Sequence, residues 1–534
     1  MRRGVCLACL SGLLLASCTG GAAESVPEEL VVAVAPLGSL DPMVAGAADP
    51  NSSGALVARQ VFEGLTRYDP ATLEVEPALA ASWTVSPDAT TFTFLLRSDV
   101  RFHDGTPVTA DDVVASFNRL ARGACASTAS PRAGAPAYLL SLVVGYSRVA
   151  GSCRTDELTG VRAVGDDTVM VSLSRPWADL PAVLAHPAAS VVPQPFIRDD
   201  VLVAPVGTGP YFVAEPWDGS RLVLVSFDGH REDPPPIRTV RLVGYADQDL
   251  AYLDLLAGNV HVAEVPVGRA RQARRRFGEG GSVLQVGLVF FGFNLRSDRV
   301  ADRGFREGLA LAVDRQAIAT AVYEQTREPA QGLASPAFPG VDEPRCGAAC
   351  TFDARAARAK IAEAHPDGPP DLVVGVADEG SNPAVGEAVV QMLADVGVEA
   401  RLRERPFVDH LDGIRAGDMD LFGFGWIPAY PSLDGLLRPL FHSASPDNSE
   451  RIGYANRDVD ELLDRARETL DPGERTALLR DAEERVLADV PVLPLLWYRS
   501  SVAFDPRIVR APDGVLVDGL GSLTFADLGF GGGS

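Results

Sequence analysis

The sequence predicts an α/β protein with more than one domain. Leu372–Val376 is a short apolar run typical of a buried strand, and Val398–Leu402 is a second one. Between them, Ala384–Val396 has helical periodicity and ends at Gly397. This order is a βαβ unit, which implies a parallel sheet with a right-handed crossover. At 534 residues, the chain has room for about two or three domains and a large core.

The segment Pro77–Leu120 predicts a strand, a turn, a further strand and then a helix. Phe92, Phe94 and Leu96 alternate with other residues, which is the period of a half-buried strand. Thr109 is the expected N-cap of the helix, with Asp112 at the capping-box position. Residue types alone give this segment no chemistry, so we expect it to be structural.

The wording of this segment closely resembles the signature of the family 5 solute-binding proteins, the extracytoplasmic receptors of ABC importers for peptides, nickel chelates and related solutes. It reads PALAASWTVSPDATTFTFLLRSDVRFHDGTPVTADDVVASFNRL. EGLTRY at 63–68 and APVGTGPY at 204–211 match the same family's pattern. The resemblance implies an α/β, two-lobed periplasmic-binding-protein fold (type II, cluster C) with an extra inserted subdomain. It also implies no catalysis and no cofactor.

The chain shows no internal repeat, and the resemblance implies a discontinuous first lobe. Lobe I is expected to combine 30–60, 190–283 and 490–534, and lobe II to span 284–489. The inserted subdomain would be 61–189, preceded by a signal peptide (1–17) and a tether (18–29).

The N-terminus has the layout of a bacterial lipoprotein. Arg2 and Arg3 precede an apolar run that is too short to span a bilayer. The sequence Leu15-Ala16-Ser17-Cys18 resembles a lipobox, so we expect lipidation of Cys18 and anchoring on the extracytoplasmic face of the cell membrane. The alternative is an ordinary signal peptide cut near Ala22 or Ala23.

Beyond this N-terminal segment the chain has four cysteines, Cys125, Cys153, Cys346 and Cys350. An even number in an oxidising compartment predicts disulfides, and we expect the pairs Cys125–Cys153 and Cys346–Cys350. The rival interpretation is a four-cysteine zinc site, but neither pair has Cys-x-x-Cys spacing.

Charge and missing motifs exclude several function classes. A net charge of −23 argues against binding nucleic acid or anionic lipid through charge. Lys360 is the sole lysine and follows Ala359, which excludes a Walker A loop. Gly-x-Ser-x-Gly and His-Glu-x-x-His are absent, and the seven histidines show no metal-ligand spacing. The basic run within Gly268–Phe277 is interpreted as a solvated helix face.

The other elements follow from apolar periodicity and turn residues. We expect strands at 30–35, 222–225, 240–243, 260–265, 283–295 and 419–424, and a hairpin at 161–173. Helices are expected at 54–62, 250–256, 305–314, 316–323, 407–416, 458–470 and 472–489, and the segment 491–504 is expected to return to lobe I.

The best candidate for a ligand site is the aromatic and glycine-rich stretch at the end of a lobe II strand. Glycine allows a ligand to approach the backbone, and aromatic rings offer stacking faces. The alternative is that these aromatics are core residues. The resemblance places further candidates near the cleft, so the full set is Leu37, Gly38, Asn294, Phe424, Gly425, Trp426, Ile427, Tyr430, Asp434, Trp497 and Tyr498.

One departure from the family pattern concerns the ligand. Peptide-binding members carry an aspartate at the position of Ala429, where it pairs with the α-ammonium of the peptide. A desolvated ammonium without a counter-charge is unfavourable by several kcal/mol. The ligand is therefore expected to be N-blocked, to be a different solute, or to be held through another acid such as Asp434.

The resemblance implies a monomer that captures a peptide or peptide-like solute and meets the permease subunits of an ABC transporter. A receptor of the same fold for a non-peptide solute or metal chelate, or a sensory co-receptor, remains an alternative. An extracytoplasmic hydrolase is the least favoured, because no catalytic motif is present.

Overall fold

The computed structural model describes residues 27–45, 52–125, 136–198, 201–511 and 515–531. The signal peptide, Cys18 and most of the tether lie outside the described residues. Within the described part of the chain, no helix is both long enough and apolar enough to cross a bilayer.

Lobe I is built on a six-stranded mixed sheet. Its strands, in spatial order, are Tyr211–Glu215, Arg221–Ser226, Thr239–Gly244, Leu30–Val34, Val262–Glu264 and Val502–Phe504. The strand Leu30–Val34 is parallel to both of its neighbours. The sheet is covered on both faces, because alternate side chains enter two separate apolar clusters. Its helices are Pro42–Ala45, Ser53–Val61, Gln248–Ala257 and Ala270–Phe277.

Lobe II is built on a second six-stranded sheet. The order is Arg327–Pro329, Val492–Arg499, Leu284–Phe293, Leu421–Trp426, Leu372–Ala377 and Ala400–Arg405. The predicted βαβ unit is confirmed, since Leu372–Ala377 and Ala400–Arg405 are parallel and joined by the helix Asn382–Asp395. The other helices are Arg303–Ala312, Arg315–Ala321, Ala354–Ala364, Phe407–Ala416, Leu433–Phe441, Pro446–Arg451, Arg457–Glu468 and Pro472–Asp489.

One expected boundary is wrong. The segment 490–534 was expected to lie wholly in lobe I, but Val492–Arg499 pairs with Leu284–Phe293 inside the lobe II sheet. Only the following strand, Val502–Phe504, joins the lobe I sheet. The apolar run 492–497 is buried throughout, so it fits the interior of either sheet, and its composition does not distinguish the two.

The residues predicted as an inserted subdomain contain a separate four-stranded antiparallel sheet, in the order Ala80–Val85, Thr91–Leu96, Thr168–Ser172 and Val161–Ala163. Phe92 and Phe94 are fully buried against the helix Ala110–Arg122 and its Phe117. The predicted cap is confirmed, because Thr109 and Asp112 form a reciprocal capping box. Short elements complete the fold: the strand pairs Thr66–Tyr68 with Val75–Pro77, Ile197–Arg198 with Val201–Leu202 and Val509–Arg510 with Gly529–Phe530, and the helix Leu180–Leu184.

Both expected cysteine pairs are joined in the structure. Cys125 and Cys153 close a loop with a sequence separation of 28, and Cys346 and Cys350 close one with a separation of 4. The basic helix Ala270–Phe277 is exposed along its arginine face, and Arg271 pairs with Glu324 at 3.0 Å. The interpretation of this run as a solvated helix face is therefore confirmed.

The two lobes are connected where two chain segments run side by side. Ser500 N donates to the Val283 carbonyl at 2.8 Å, and Val283 N donates to the Ser500 hydroxyl at 2.8 Å. Val502 N donates to the carbonyl of Gly281, where an added Cβ would collide with the Val502 carbonyl oxygen. This paired crossing, defined as 281–283 with 500–502, carries the chain between the two sheets.

Candidate ligand-binding cleft

A cavity of about 1070 Å³ lies between the two lobes. Its lobe I wall comes from the turn after the first strand, the start of the helix Ser53–Val61 and the strand Val262–Glu264. Its lobe II wall comes from the ends of the strands Leu421–Trp426 and Val492–Arg499, with further side chains from the strand Arg327–Pro329 and the helix Pro446–Arg451. The volume is somewhat above the range of about 300 to 1,000 Å³ that small-molecule sites occupy.

Six of the predicted site residues line this cavity. From lobe I it is Gly38, and from lobe II they are Phe424, Gly425, Trp426, Ile427 and Tyr498. The rings of Phe424 and Trp426 lie 6.5 Å apart between centroids and are tilted by 33°. The structure thus brings together the aromatic stretch and Tyr498, which are far apart in sequence. Their contact with a ligand stays a prediction.

Leu37, Asn294 and Trp497 do not line the cavity, and their proposed role is corrected. Leu37 packs in the apolar cluster of lobe I. Asn294 donates through Nδ2 to the Met419 carbonyl at 3.2 Å and is buried. Trp497 is 1% exposed, and its Nε1 donates to the Gly332 carbonyl at 3.2 Å. Since side chains alternate along a strand, Tyr498 faces the cavity and its neighbour Trp497 faces the core.

Tyr430 and Asp434 are also corrected, because both belong to a buried polar cluster outside the cavity. Asp434 is 2% exposed and accepts from Arg438 Nε at 2.9 Å and from Arg467 Nη2 at 2.8 Å. The Tyr430 hydroxyl donates to Asp434 Oδ2 at 3.1 Å. Two guanidinium groups therefore already neutralise the carboxylate that was the alternative partner for a ligand ammonium.

The charges of this cluster explain its protonation state. Burial alone would raise the pKa of Asp434, but the attraction of Arg467 and Arg438 outweighs it, so the pKa lies below its usual value. Burial, reinforced by the Asp434 charge, raises the pKa of Tyr430 well above 10. Asp434 is thus an ionised structural acid, and Tyr430 stays a neutral phenol.

The same cluster ties lobe II to the residues predicted as the inserted subdomain. Asp179 pairs with Arg475 at 3.0 Å and accepts from the Ser432 hydroxyl. The ring of Trp177 lies edge-on to Tyr430 at 6.0 Å, and Ala178 N donates to the Arg467 carbonyl at 2.9 Å. Beyond Ile427, the stretch that follows Trp426 therefore contacts the residues predicted as the inserted subdomain and does not line the cavity.

Two arginines that the sequence interpretation missed, Arg327 and Arg451, lie against aromatic rings of the lobe II wall. The Arg327 guanidinium carbon lies 4.8 Å from the Tyr498 ring centroid and 5.7 Å from that of Tyr323. The Arg451 carbon lies 4.9 Å from the Phe424 centroid, and burial lowers the pKa of this guanidinium. Both cations cover aromatic faces of the wall. Neither position carries a local sequence signal, because each contact joins residues distant along the chain.

Gly425 of the cavity wall and the nearby Gly287 both lie against the side chain of Tyr498. A Cβ on Gly425 would collide with the Tyr498 hydroxyl, and a Cβ on Gly287 would lie 2.8 Å from Tyr498 Cδ2 and 3.3 Å from Ile427 Cγ1. Both glycines therefore make room for the Tyr498 ring. Gly425 thus allows a close approach by the Tyr498 side chain, whose ring also lies beside Arg327.

No group of three or more histidine, cysteine or acidic side chains is arranged to hold a metal ion in the part of the chain that the structure describes. The cavity wall consists instead of aromatic rings, backbone groups and a few charged side chains. Such a wall is of the kind that suits the binding and orientation of a solute.

A cavity between two α/β lobes defines the class of a solute-binding protein, and comparison with known proteins gives the family. Residues 74–448 match the model of the bacterial extracellular solute-binding proteins, family 5 (middle region). The chain belongs to this family, and it is a binding protein of ABC importers and not an enzyme.

Individual relatives agree over most of the chain. The dipeptide-binding protein DppE of Bacillus subtilis is 25% identical, with 85% of each chain covered. The glutathione-binding protein GsiB of Salmonella typhimurium is 27% identical, covering 91% of this chain and 92% of that one.

Solved structures share the fold. The murein tripeptide-binding protein MppA in its unliganded open form superposes with a TM-score of 0.80 at 21% identity, covering 94% of this chain and 97% of that one. Haemophilus influenzae OppA in complex with the peptide RPPGFSPFR gives a TM-score of 0.68 at 20% identity, covering 95% and 99%. The two-lobed periplasmic-binding-protein fold expected from the resemblance is confirmed.

The buried position of Asp434 predicts a large effect on stability. Asp434→Ala leaves Arg467 without its buried carboxylate and Arg438 with only the exposed Asp464 as a partner, which is expected to lower the free energy of unfolding by about 3 to 5 kcal/mol. Urea denaturation followed by circular dichroism measures the change.

The matched control is Asp458→Ala, which removes an exposed carboxylate paired with Arg485 at 2.6 Å on the same lobe. Its expected loss is below about 1 kcal/mol. Equal losses for the two variants would contradict the structural role of Asp434.

Proposed function

We propose that this protein is a lipid-anchored extracytoplasmic receptor that captures a peptide or peptide-like solute between its lobes and delivers it to the permease of an ABC importer. The observation that carries the proposal is the cavity of about 1070 Å³ between the lobes, with an aromatic wall that includes Phe424, Trp426 and Tyr498. The dipeptide- and glutathione-binding names of its relatives support a solute of peptide type.

The geometry supports a mechanism in which solute binding favours closure. An open cavity exposes the aromatic wall to water, and a solute that contacts both walls buries this surface, which stabilises the closed arrangement. The paired crossing at 281–283 and 500–502 is where a small change of backbone angles would rotate one lobe against the other. The permease would then distinguish the closed, loaded receptor from the open one.

Membrane attachment would keep the receptor next to its permease. The lipobox-like sequence before Cys18 supports cleavage ahead of this residue and attachment of acyl chains, and two or more chains anchor a protein stably. The first described residues, from 27 onward, lead directly into the strand Leu30–Val34 of lobe I. Lobe I would therefore be the lobe that the tether joins to the membrane anchor.

The aromatic wall predicts that ligand binding depends on Trp426. A receptor gains thermal stability when a ligand binds the native state, so pooled dipeptides and tripeptides, both free and N-acetylated, are expected to raise the melting temperature of the wild-type protein. Trp426→Ala removes a stacking face and is expected to weaken the best pool by about tenfold. Differential scanning fluorimetry over a range of pool concentrations measures this.

Trp83→Ala is the control, because Trp83 is half-buried on the strand Ala80–Val85 of the four-stranded sheet and does not line the cavity. It is expected to keep the full ligand response. A Trp426→Ala protein that responds as the wild type does would place the site elsewhere, and a wild type without any response would contradict a peptide-type solute.

The lipid anchor makes a separate prediction. Cys18→Ser removes the thiol that would carry the lipid and is expected to move the protein from the detergent-rich phase to the aqueous phase in Triton X-114 partition of expressing cells. Cys9→Ser, within the segment expected to be cleaved away, is expected to leave partition unchanged. Retention of the Cys18→Ser protein in the detergent phase would contradict lipid anchoring.

A further inference from the structure

The charges that line the cavity are unusual for a chain with a net charge of −23. The charged lining residues are Arg327, Arg451 and Arg499 on the lobe II side and Glu264 on the lobe I side. The carboxylate of Glu264 accepts from Gln248 Nε2 at 2.8 Å. The described lining residues therefore have three positive charges and one negative charge, within a strongly acidic protein.

The three arginines differ in how far the protein already neutralises them. Arg499 donates to Glu328 at 2.6 Å and to the hydroxyl and carbonyl of Ser282. Arg451 pairs with Asp447 at 2.9 Å. Arg327 has no carboxylate within 4.0 Å among the described residues, so it is the lining cation whose charge is left without a protein counter-charge.

The hydrogen bonds of Arg327 leave one edge of its guanidinium available. Its Nη1 donates to the carbonyls of Thr326 at 3.1 Å and Arg499 at 3.0 Å. Within the described chain, no acceptor pairs with Nε or Nη2, and neither atom is buried without a partner. Nε–H and Nη2–H lie on the same edge of the guanidinium, in the parallel arrangement that matches the two oxygens of a carboxylate.

The position of this edge relative to the aromatic wall is fixed. Nη1 holds the guanidinium on two backbone carbonyls, and the rings of Tyr498 and Tyr323 lie beside it. Tyr498 in turn lies across Gly287 and Gly425, next to the backbone of Trp426. The Tyr498 ring thus lies between the Arg327 guanidinium and the aromatic stretch around Trp426. A small solute is large enough to contact both.

Among the described residues, the lobe II wall offers no carboxylate to a cationic group, and its aromatic faces already lie against Arg327 and Arg451. Ala429 has no charge, and Asp434 lies outside the cavity between two arginines. An ammonium group placed beside Arg327 and Arg451 would be repelled and would have no acid on this wall to offset its lost hydration.

We infer that the solute is an organic anion whose carboxylate pairs with the Nε and Nη2 edge of Arg327 and which brings no ammonium group to the lobe II wall. This inference rests on the proposed function, because it names the chemical class of solute for the same cavity. Electrostatic complementarity of this kind selects among solutes of similar shape. Among peptide-like compounds it favours N-blocked acids over free peptides, because the one acidic side chain among the described lining residues, Glu264 on lobe I, already accepts from Gln248.

The test uses one pooled dipeptide library prepared with four sets of end groups: N-acetylated acids, N-acetylated amides, free peptides and free-amine amides. Differential scanning fluorimetry of the wild-type protein is expected to give the largest shift with the N-acetylated acids. The two N-acetylated pools differ only in the carboxylate, so their difference isolates the contribution of the anion.

The side chain is tested on the strongest N-acetylated acid and its amide by isothermal titration calorimetry. Arg327→Gln is expected to weaken the acid by about tenfold and to leave the amide unchanged. Arg327→Lys is expected to restore part of the affinity because it keeps the charge. Arg457→Gln, a change at an arginine 90% exposed at the side chain on lobe II and outside the cavity, is expected to change neither affinity.

Distinct outcomes separate the two proposals. An equal or larger shift from the free peptides or the free-amine amides would overturn the inference and leave the peptide receptor in place. So would an Arg327→Gln protein that keeps the preference for the acid over the amide. No shift from any of the four pools would overturn the peptide-type function and, with it, the inference.

Discussion

The structure depends on two chain segments that cross between the lobes side by side and are hydrogen-bonded to each other. At this crossing, Val283 and Ser500 exchange hydrogen bonds through the backbone and the serine hydroxyl. Position 281 requires glycine, because the Val502 carbonyl oxygen lies where a Cβ would be. Each lobe then grows outward from this junction as its own sheet with its own apolar clusters. The two sheets leave a gap between them beside this crossing, and this gap is the cavity.

The sequence predicted local structure well wherever a short-range rule decides it. The alternation of Phe92 and Phe94 defined a strand, and Thr109 with Asp112 defined a helix start, because capping boxes depend on residues three positions apart. Prediction failed at the strand Val492–Arg499, which is apolar for six consecutive residues. A continuous apolar run has no polar face, so it determines neither the sheet that the strand joins nor the side that Trp497 faces.

The candidate site was predictable in part, for a related reason. The aromatic stretch around Trp426 stands out in sequence, and the structure places it on the cavity wall. Arg327 does not stand out, since its importance comes from a ring 171 positions later, Tyr498, and from the absence of a nearby acid. Asp434 stood out as a lone acid near the stretch. Its neighbour Arg438 is one helical turn away, but Arg467 comes from another helix, and only the fold shows that the carboxylate is already neutralised.

The proposed function requires two rigid lobes to close on a solute without transforming it. The most direct measurement is the distance between spin labels at Leu250 and Val408, by double electron–electron resonance. Both residues are exposed, and each lies beside cavity-lining residues, on lobe I and lobe II respectively. The pool giving the largest thermal shift is expected to move the distance distribution to shorter values and to be recovered chemically unchanged. An unchanged distance under saturating ligand, or a recovered pool that has been converted to product, would contradict it.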